Sequence, residues 1–134
     1  MCGIMYLEER KEVSILSITS DLIRGHTDTI ILSLLMREDS YGYKINRTIY
    51  AMTDGAYELK EATLYTSFKR LEESGCICSY WGDEATGARR RYYSITNHGK
   101  EEYKRMLAEW KETKVLVDKL VGDNNNRREE SDTL

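Results

Sequence analysis

The sequence lacks the residue patterns that carry most enzymatic chemistry. Its 134 residues include only two histidines, His26 and His98, which are distant from each other along the chain. No serine or cysteine stands in a nucleophile motif, and there is neither a glycine-rich phosphate loop nor a cluster of metal ligands. We therefore expect a protein that is not an enzyme and holds no cofactor. His26 fits a helix surface or a dimer interface better than a general base, and His98 fits the start of a helix.

Long apolar runs are also missing. The longest, residues 30–36, is interrupted by Ser33 and is far shorter than the roughly 20 residues that a helix needs to cross a bilayer. The first twelve residues turn acidic early and lack the basic-then-apolar order of a secretory signal. With 40% hydrophobic and 32% charged residues, the composition predicts one soluble, cytoplasmic domain with a modest core and no contact with membranes.

Cysteine is scarce, which excludes a disulfide framework. The three cysteines are Cys2, Cys76 and Cys78, and a C-x-C pair supplies too few ligands for a zinc site. Cys76 and Cys78 are best read as small residues at the start of a strand. A redox-sensing thiol is the alternative, because cysteine reactivity depends on a local pKa that the sequence does not reveal.

Helical spacing of apolar residues predicts a first helix after an N-terminal extension of residues 1–18. The helix begins at Thr19 or Ser20, either of which can cap it, and runs to about Arg37. Gly25 inside it would cost about 1 kcal/mol relative to alanine, which usually signals close packing. The apolar positions with helical spacing are Ile23, Ile30, Ile31, Leu34 and Leu35.

Two further helices follow in the same part of the chain. The second covers residues 41–53, and Asp54-Gly55 ends it. The third runs from near Glu61 to Gly75, a residue suited to the left-handed conformation that ends helices. The predicted inner faces carry Ile45, Ile49 and Met52 on the second helix and Leu64, Phe68 and Leu71 on the third, which presents Ala62, Thr66, Lys69, Arg70 and Glu73 on its opposite face.

A basic hairpin comes directly after the third helix. Aromatic and β-branched residues predict strands at about residues 77–82 and 89–95, joined by the turn E-A-T-G-A. The second strand begins with three arginines, Arg89, Arg90 and Arg91. In a strand, Arg89 and Arg91 share one face and Arg90 lies on the other. Arg89 and Arg90, nearest the tip, are the predicted contacts to phosphate or a minor groove.

A helix followed by a basic hairpin is how a winged helix-turn-helix addresses duplex DNA. The predicted fold class is therefore α+β, with residues 19–96 as the DNA-binding domain. The net charge of −3 does not exclude DNA, because phosphates are contacted by one face only. An ordinary solvated helix is the alternative for the third helix. The candidate DNA contacts are Tyr43, Lys44, Thr63, Tyr65, Thr66, Lys69, Arg70, Gly87, Arg89 and Arg90.

The last predicted helix, residues 97–121, carries apolar positions that step by three and four. This heptad seam lies on a helix about 36 Å long, which a small core cannot cover, so we expect a homodimer. Residues 122–134 are polar and predicted to be disordered. In a symmetric dimer, the two copies of Trp110 could form a slot for a flat aromatic ligand. The seam consists of Tyr103, Met106, Trp110, Thr113, Val117 and Leu120.

Five stretches resemble the PadR family of transcriptional regulators over about residues 20–121. They read G-H-T-D-T-I-I-L-S-L-L, Y-G-Y-K-I, E-A-T-L-Y-T-S-F-K-R-L-E-E-S-G, C-S-Y-W-G-D-E-A-T-G-A-R-R-R-Y-Y-S-I-T and N-H-G-K-E. The likeness is greatest to the short branch with a single C-terminal helix, which includes a lactococcal multidrug-binding repressor. The resemblance implies a winged-helix homodimer that represses a nearby promoter, often that of an efflux pump.

The same resemblance implies that Trp110 stacks on planar drugs in a pore at the dimer centre. Lys114 departs from the pattern, since the multidrug-binding relative has an acidic residue there, and a cation disfavours positively charged drugs. Asp28, facing the pore by analogy, would restore some negative potential. The extension before Ser20 is either a start-site artefact or an added dimer arm. The implied pore residues are Leu22, Asp28, Leu107, Trp110, Thr113 and Lys114.

The function predicted from the sequence is a DNA-binding repressor that is a homodimer on a palindromic operator. The rival is a winged-helix module that binds proteins and not DNA, with the last helix as its docking surface. Acidic residues clustered on the exposed face of the third helix would favour that rival.

Overall fold

The computed structural model describes residues 21–83 and 89–122. The extension of residues 1–18, the start of the first helix at Thr19 or Ser20, the hairpin turn with Gly87 and the polar tail after residue 122 lie outside the described residues. Predictions about them stay predictions.

The first helix is interrupted where the sequence predicted a continuous one. Residues 21–24 are helical, Gly25 and His26 form a turn, and helix α1 covers Thr27–Leu35. The Thr27 hydroxyl donates to the Arg24 carbonyl at 2.8 Å, a local bond of the kind that competes with helix formation, and glycine loses much entropy in a helix. Close packing at Gly25 is not seen, since an added Cβ would come no nearer than 3.9 Å, to the Leu22 carbonyl oxygen.

Helices α2 (Gly42–Met52) and α3 (Glu61–Glu73) form where the sequence predicted them. Left-handed backbone at Asp54 and Gly55 ends α2, and Gly75, at φ 77°, follows α3. The inner face predicted for α3 is confirmed, as is that of α2 except at Met52. Met52 is 59% exposed, because it is the last residue of α2 and the chain turns away immediately after it.

Two antiparallel strands form the wing. Strand β1 (Ile77–Asp83) pairs with strand β2 (Arg89–Ile95) in a register that sets Ile77 opposite Ile95 and Asp83 opposite Arg89. Residues 40 and 93 add a short antiparallel bridge, in which each backbone N–H donates to the other residue's carbonyl. The bridge attaches β2 to the segment that leads into α2.

The core lies where α1, α2, α3 and the base of the wing meet. Phe68, the single phenylalanine of the chain, is 1% exposed and stacks on Tyr93 with ring centroids 3.9 Å apart. In the described ranges, every buried side-chain nitrogen or oxygen has a hydrogen-bond partner. The buried apolar residues are Ile31, Leu32, Leu34, Leu35, Ile45, Ile49, Leu59, Leu64, Phe68, Leu71, Cys76, Ile77 and Tyr93.

Helix α4 (Asn97–Val117) leaves the core and continues as a π-helical turn at Asp118–Gly122. Tyr103 and Met106 pack against the core, whereas every residue from 108 to 122 is exposed. The outer half of the predicted seam is thus uncovered within the described chain. No helix in the described ranges joins the length to the apolar character needed to cross a bilayer.

The start of α4 is packed against the backbone of Gly75 and Cys76, just before β1. The Thr96 hydroxyl caps the helix by accepting from the Gly99 N–H at 3.0 Å, and it donates to the Gly75 and Cys76 carbonyls. At Gly99 an added Cβ would overlap the Cys76 carbonyl oxygen and come within 2.8 Å of the Ile95 side chain. Only glycine fits at this position without moving α4 or the backbone of Cys76.

Replacing Gly99 with alanine is expected to destabilise the protein by about 2–3 kcal/mol, because the new methyl group overpacks a backbone contact that cannot yield easily. Denaturant unfolding at one fixed protein concentration measures the change. Gly122→Ala is the matched control, since a Cβ there meets nothing within 4 Å. Equal stability of the two variants would contradict the close approach at Gly99.

Candidate nucleic-acid interface

The loop before α3 is fixed by a side chain that the sequence reasoning missed. The Asn46 amide donates to the Leu59 carbonyl at 2.7 Å and accepts from the Leu59 N–H at 2.8 Å. Leu59 itself is 3% exposed. Two reciprocal bonds over a buried residue satisfy backbone groups that would otherwise be costly to bury. The sequence feature that could have indicated this role of Asn46 is its amide side chain between the core residues Ile45 and Ile49.

Helix α3 separates an apolar inner face from a polar outer one. Thr66, Lys69 and Arg70 are exposed, Thr63 is half-exposed, and Tyr65 is 50% exposed. The Thr66 hydroxyl donates to the Ala62 carbonyl at 2.7 Å, which leaves its oxygen as an acceptor. This outer face presents the side chains that the sequence assigned to DNA contact.

The wing is held beside α3 by contacts of Arg91 and its neighbour Tyr93. The Arg91 Nη2 lies 3.2 Å from the Glu72 carboxylate and donates to the Ser79 hydroxyl at 2.9 Å. Phe68 of α3 stacks on Tyr93 of β2. Arg91 therefore joins the wing to the helix, and the two arginines nearer the tip do not take part in that contact.

The tip arginines rest on aromatic rings. The Arg89 guanidinium lies 5.6 Å from the Trp81 ring, and that of Arg90 lies 4.5 Å from the Tyr41 ring, within cation–π distance. Each guanidinium group is thus held against a ring, and neither has an ion pair among the side chains that the structure describes.

A stack of tyrosines supports Arg90. Tyr41 packs edge-on against Tyr92, which stacks on Tyr80. The Tyr80 hydroxyl donates to the Asp39 carboxylate at 2.7 Å, and this bond raises the pKa of Tyr80. Gly82 makes room for the stack, since a Cβ there would overlap the Tyr92 ring.

The two candidate DNA contacts on α2, Tyr43 and Lys44, differ in exposure and in ion pairing. Tyr43 is 65% exposed, with the Arg47 guanidinium 5.8 Å from its ring. Lys44 forms an ion pair with Glu38 at 2.7 Å, and this hydrogen bond raises the pKa of Lys44. An exposed pair of this kind stabilises little, but it lowers the net charge that Lys44 offers to a phosphate.

Asp28, which the resemblance implied to line the dimer pore, is paired with Arg70 of α3. Its carboxylate faces α3, where Oδ2 and Oδ1 accept from Nε and Nη2 of Arg70 at 3.0 and 2.6 Å. A two-point pair with a guanidinium is strong and directs the carboxylate towards α3, whereas the placement of Asp28 in a pore of the dimer stays a prediction. The hydrogen bond to Asp28 raises the pKa of Arg70.

A shallow depression of about 340 Å³ opens between α3 and the segment before α1. Its polar lining includes three residues that the sequence reasoning had not assigned to the interface, namely Arg24, Thr27 and Ser67. No short motif marks them, because their side chains converge from two separate parts of the chain. The remaining polar lining is Thr63, Thr66 and Arg70.

Trp110 lies on the exposed side of α4. Its ring contacts involve His26 and Lys114 and not the arginines of the wing. It is 38% exposed, with the His26 ring 4.6 Å away at 58° and the Lys114 ammonium 6.0 Å from its ring centroid. Leu22 is 70% exposed and Leu107 is half-buried. His26 was expected at a helix surface or an interface, and it contacts the proposed ligand residue. Thr113 is exposed on the next turn of α4.

Three packed helices with an outward third helix and a two-stranded wing define the winged helix-turn-helix class. Residues 31–105 match the family described as "Transcriptional regulator PadR-like family". That match spans more than half of the chain, and the chain belongs to this family.

Solved structures of regulators have the same fold. A transcriptional regulator from Clostridium thermocellum is 52% identical, with a TM-score of 0.70 over 76% of this chain and 96% of that one. A PadR family transcription regulator from Clostridium difficile is 33% identical, with a TM-score of 0.63 over 72% and 98% of the two chains. An uncharacterised protein of Lysinibacillus sphaericus is 45% identical over 101 residues, 75% of this chain and 93% of that protein. The likeness to the lactococcal repressor stays a prediction.

Proposed function

We propose that this protein is a transcriptional repressor that binds a palindromic operator as a homodimer. The observation that carries the proposal is the joint between α3 and the wing. The Glu72–Arg91 pair and the Phe68–Tyr93 stack hold the strand that carries Arg89 and Arg90 beside the polar face of α3. Membership of a family of transcriptional regulators supports the same function.

In this proposal α3 enters the major groove. Thr63, Thr66 and Lys69 offer hydroxyl and ammonium groups, which can reach phosphates and base edges. Arg89 and Arg90 of the wing reach the adjacent backbone or minor groove. A net charge of −3 weakens binding to arbitrary DNA and leaves this face as the site of attraction.

The second half of α4 supports the proposed dimer. Val117 is 49% exposed and Leu120 is 70% exposed on a helix that no other element of the described chain covers. A helix about 32 Å long with an apolar seam gains stability by pairing with a second copy. Two-fold symmetry then presents two copies of α3 to half-sites one helical turn of DNA apart.

The rival function, a winged helix that docks on proteins, has weaker support. Acidic residues clustered on the outward face of α3 would favour it. Glu61 and Glu73 lie at the two ends of that helix, whereas Lys69 lies between them on the exposed face. The charge pattern therefore favours a polyanion.

Changing both Arg89 and Arg90 to alanine is expected to weaken duplex binding for all sequences and to reduce the salt slope by about 2, near 0.9 for each lost phosphate contact. Fluorescence anisotropy over a series of salt concentrations measures both effects. Arg105→Ala, which removes a cation at a position of α4 outside the seam, should leave the slope as it is. Unchanged affinity of the double variant at fixed salt would remove the wing from the interface.

Val117→Glu is expected to convert the dimer to a monomer, because it buries a charge in the middle of an apolar seam. Light scattering should give about twice the chain mass of 15.6 kDa for the unaltered protein and a single chain mass for the variant. Val115→Glu is a matched control, since Val115 is 52% exposed but lies off the seam. A monomeric parent protein would contradict the proposed dimer.

Ligand release is a second proposal, supported by the exposed indole of Trp110. A planar aromatic compound would bind between the two copies of Trp110 and shift the relative angle of the two DNA-binding heads. Displacement of the His26 ring would open the face of the indole that it now contacts. Lys114 beside the indole favours neutral or anionic compounds over cationic ones.

Titration of planar dyes into a Trp81→Phe variant isolates the fluorescence of Trp110, since the chain has two tryptophans. We expect saturable quenching, stronger for an anionic dye than for a cationic dye of similar size. Lys114→Glu should reverse that order by inverting the local charge. Quenching that does not saturate would remove the ligand proposal.

A further inference from the structure

The two cations on the outer face of α3 are in different electrostatic states. Arg70 donates to Asp28 from Nε at 3.0 Å and from Nη2 at 2.6 Å, and Nη2 also lies 3.2 Å from the Ser67 hydroxyl. Lys69, the adjacent residue, has no ion pair within residues 21–83 and 89–122. Lys69 therefore presents a full charge, whereas the charge of Arg70 is largely cancelled.

The contacts of Arg70 also occupy the N–H donors with which it could bind a phosphate or a guanine at two points. A guanidinium has five N–H donors, and it grips a phosphate or a guanine by two donors on one edge. Each two-point edge includes Nη2 together with either Nε or Nη1. Because Nη2 already donates to Asp28 and approaches Ser67, neither edge is open while the pair persists.

Asp28 is well placed to keep the pair intact. Its side chain is 24% exposed against 56% for Arg70, so it lies between α1 and α3. It belongs to the first turn of α1, two residues after the His26 ring that contacts Trp110. The acid is thus fixed by the fold, and the arginine reaches across from α3 to meet it.

We propose that Asp28 is a specificity-determining residue that withholds Arg70 from DNA phosphates, an inference that rests on the proposed DNA-binding function. Binding to arbitrary duplex grows with each phosphate that a cation neutralises. Cancelling one cation on the outer face of α3 lowers that sequence-independent term. The contacts to base edges made by the hydroxyls of α3 then form a larger share of the total, which raises the ratio of specific to nonspecific affinity.

A double-mutant cycle on the full chain tests the proposal. The probe is a duplex of mixed sequence, and anisotropy is measured over a series of salt concentrations. Asp28→Asn, which has the same shape without the charge, should tighten binding about five- to tenfold at low salt and steepen the salt slope by about 1. Arg70→Gln in the Asp28→Asn background should abolish that gain.

Lys69→Gln is the matched control, one residue from Arg70 on the same face. It should flatten the salt slope by about 1, and Arg70→Gln should change the slope by less than half as much. A duplex selected by the parent protein from a random pool completes the test. The ratio of its affinity to that of the mixed duplex should fall in Asp28→Asn.

Two results would overturn the inference. Equal slope changes in Arg70→Gln and Lys69→Gln would mean that Arg70 already contacts phosphate in the parent protein. A gain from Asp28→Asn that survives the loss of Arg70 would mean that the acid acts by its own repulsion. Failure of the proposed function is distinguishable from both, since the parent protein would then bind no duplex even at the lowest salt. Circular dichroism of each variant checks that it is folded.

Discussion

The ring of Phe68 stacked on that of Tyr93 is the contact around which the described structure is organised. It joins α3 to β2 at the level where the bridge between residues 40 and 93 brings in the start of α2. A stacked pair contributes about 0.5–1.5 kcal/mol beyond the area it buries. Its larger effect is geometric, because it sets the distance between the polar face of α3 and the arginines of the wing.

Ion pairs cancel several of the positive charges on the candidate nucleic-acid interface. Arg91 is occupied by Glu72, Lys44 by Glu38 and Arg70 by Asp28. Such exposed pairs contribute little to stability, yet each lowers the attraction to a polyanion. An acidic chain with a small set of uncancelled cations can bind nucleic acid weakly in general and still bind a chosen sequence well. The low net charge and the proposed function are therefore compatible.

Local patterns predicted the local elements. The i, i+4 and i+7 spacing of Leu64, Phe68 and Leu71 predicted α3, and turn residues flanked by aromatic and β-branched positions predicted the wing. The interruption at Gly25 was missed because it depends on where one threonine hydroxyl bonds. The Asp28–Arg70 contact joins residues 42 apart in sequence and the Asn46–Leu59 contact residues 13 apart. Neither spacing follows a helical or strand period, so such pairs become visible only when tertiary packing is known.

The absence of space at Gly99 has a mechanical consequence. A helix about 32 Å long that is seated directly on the Cys76 carbonyl, just before β1, can pivot about that glycine as a stiff rod. Tilting it by about 10° would displace its far end by roughly 5 Å, given the rise of 1.5 Å per residue. A small rotation at Gly99 therefore produces a large change in the distance between the winged-helix domain and the C-terminal end of α4.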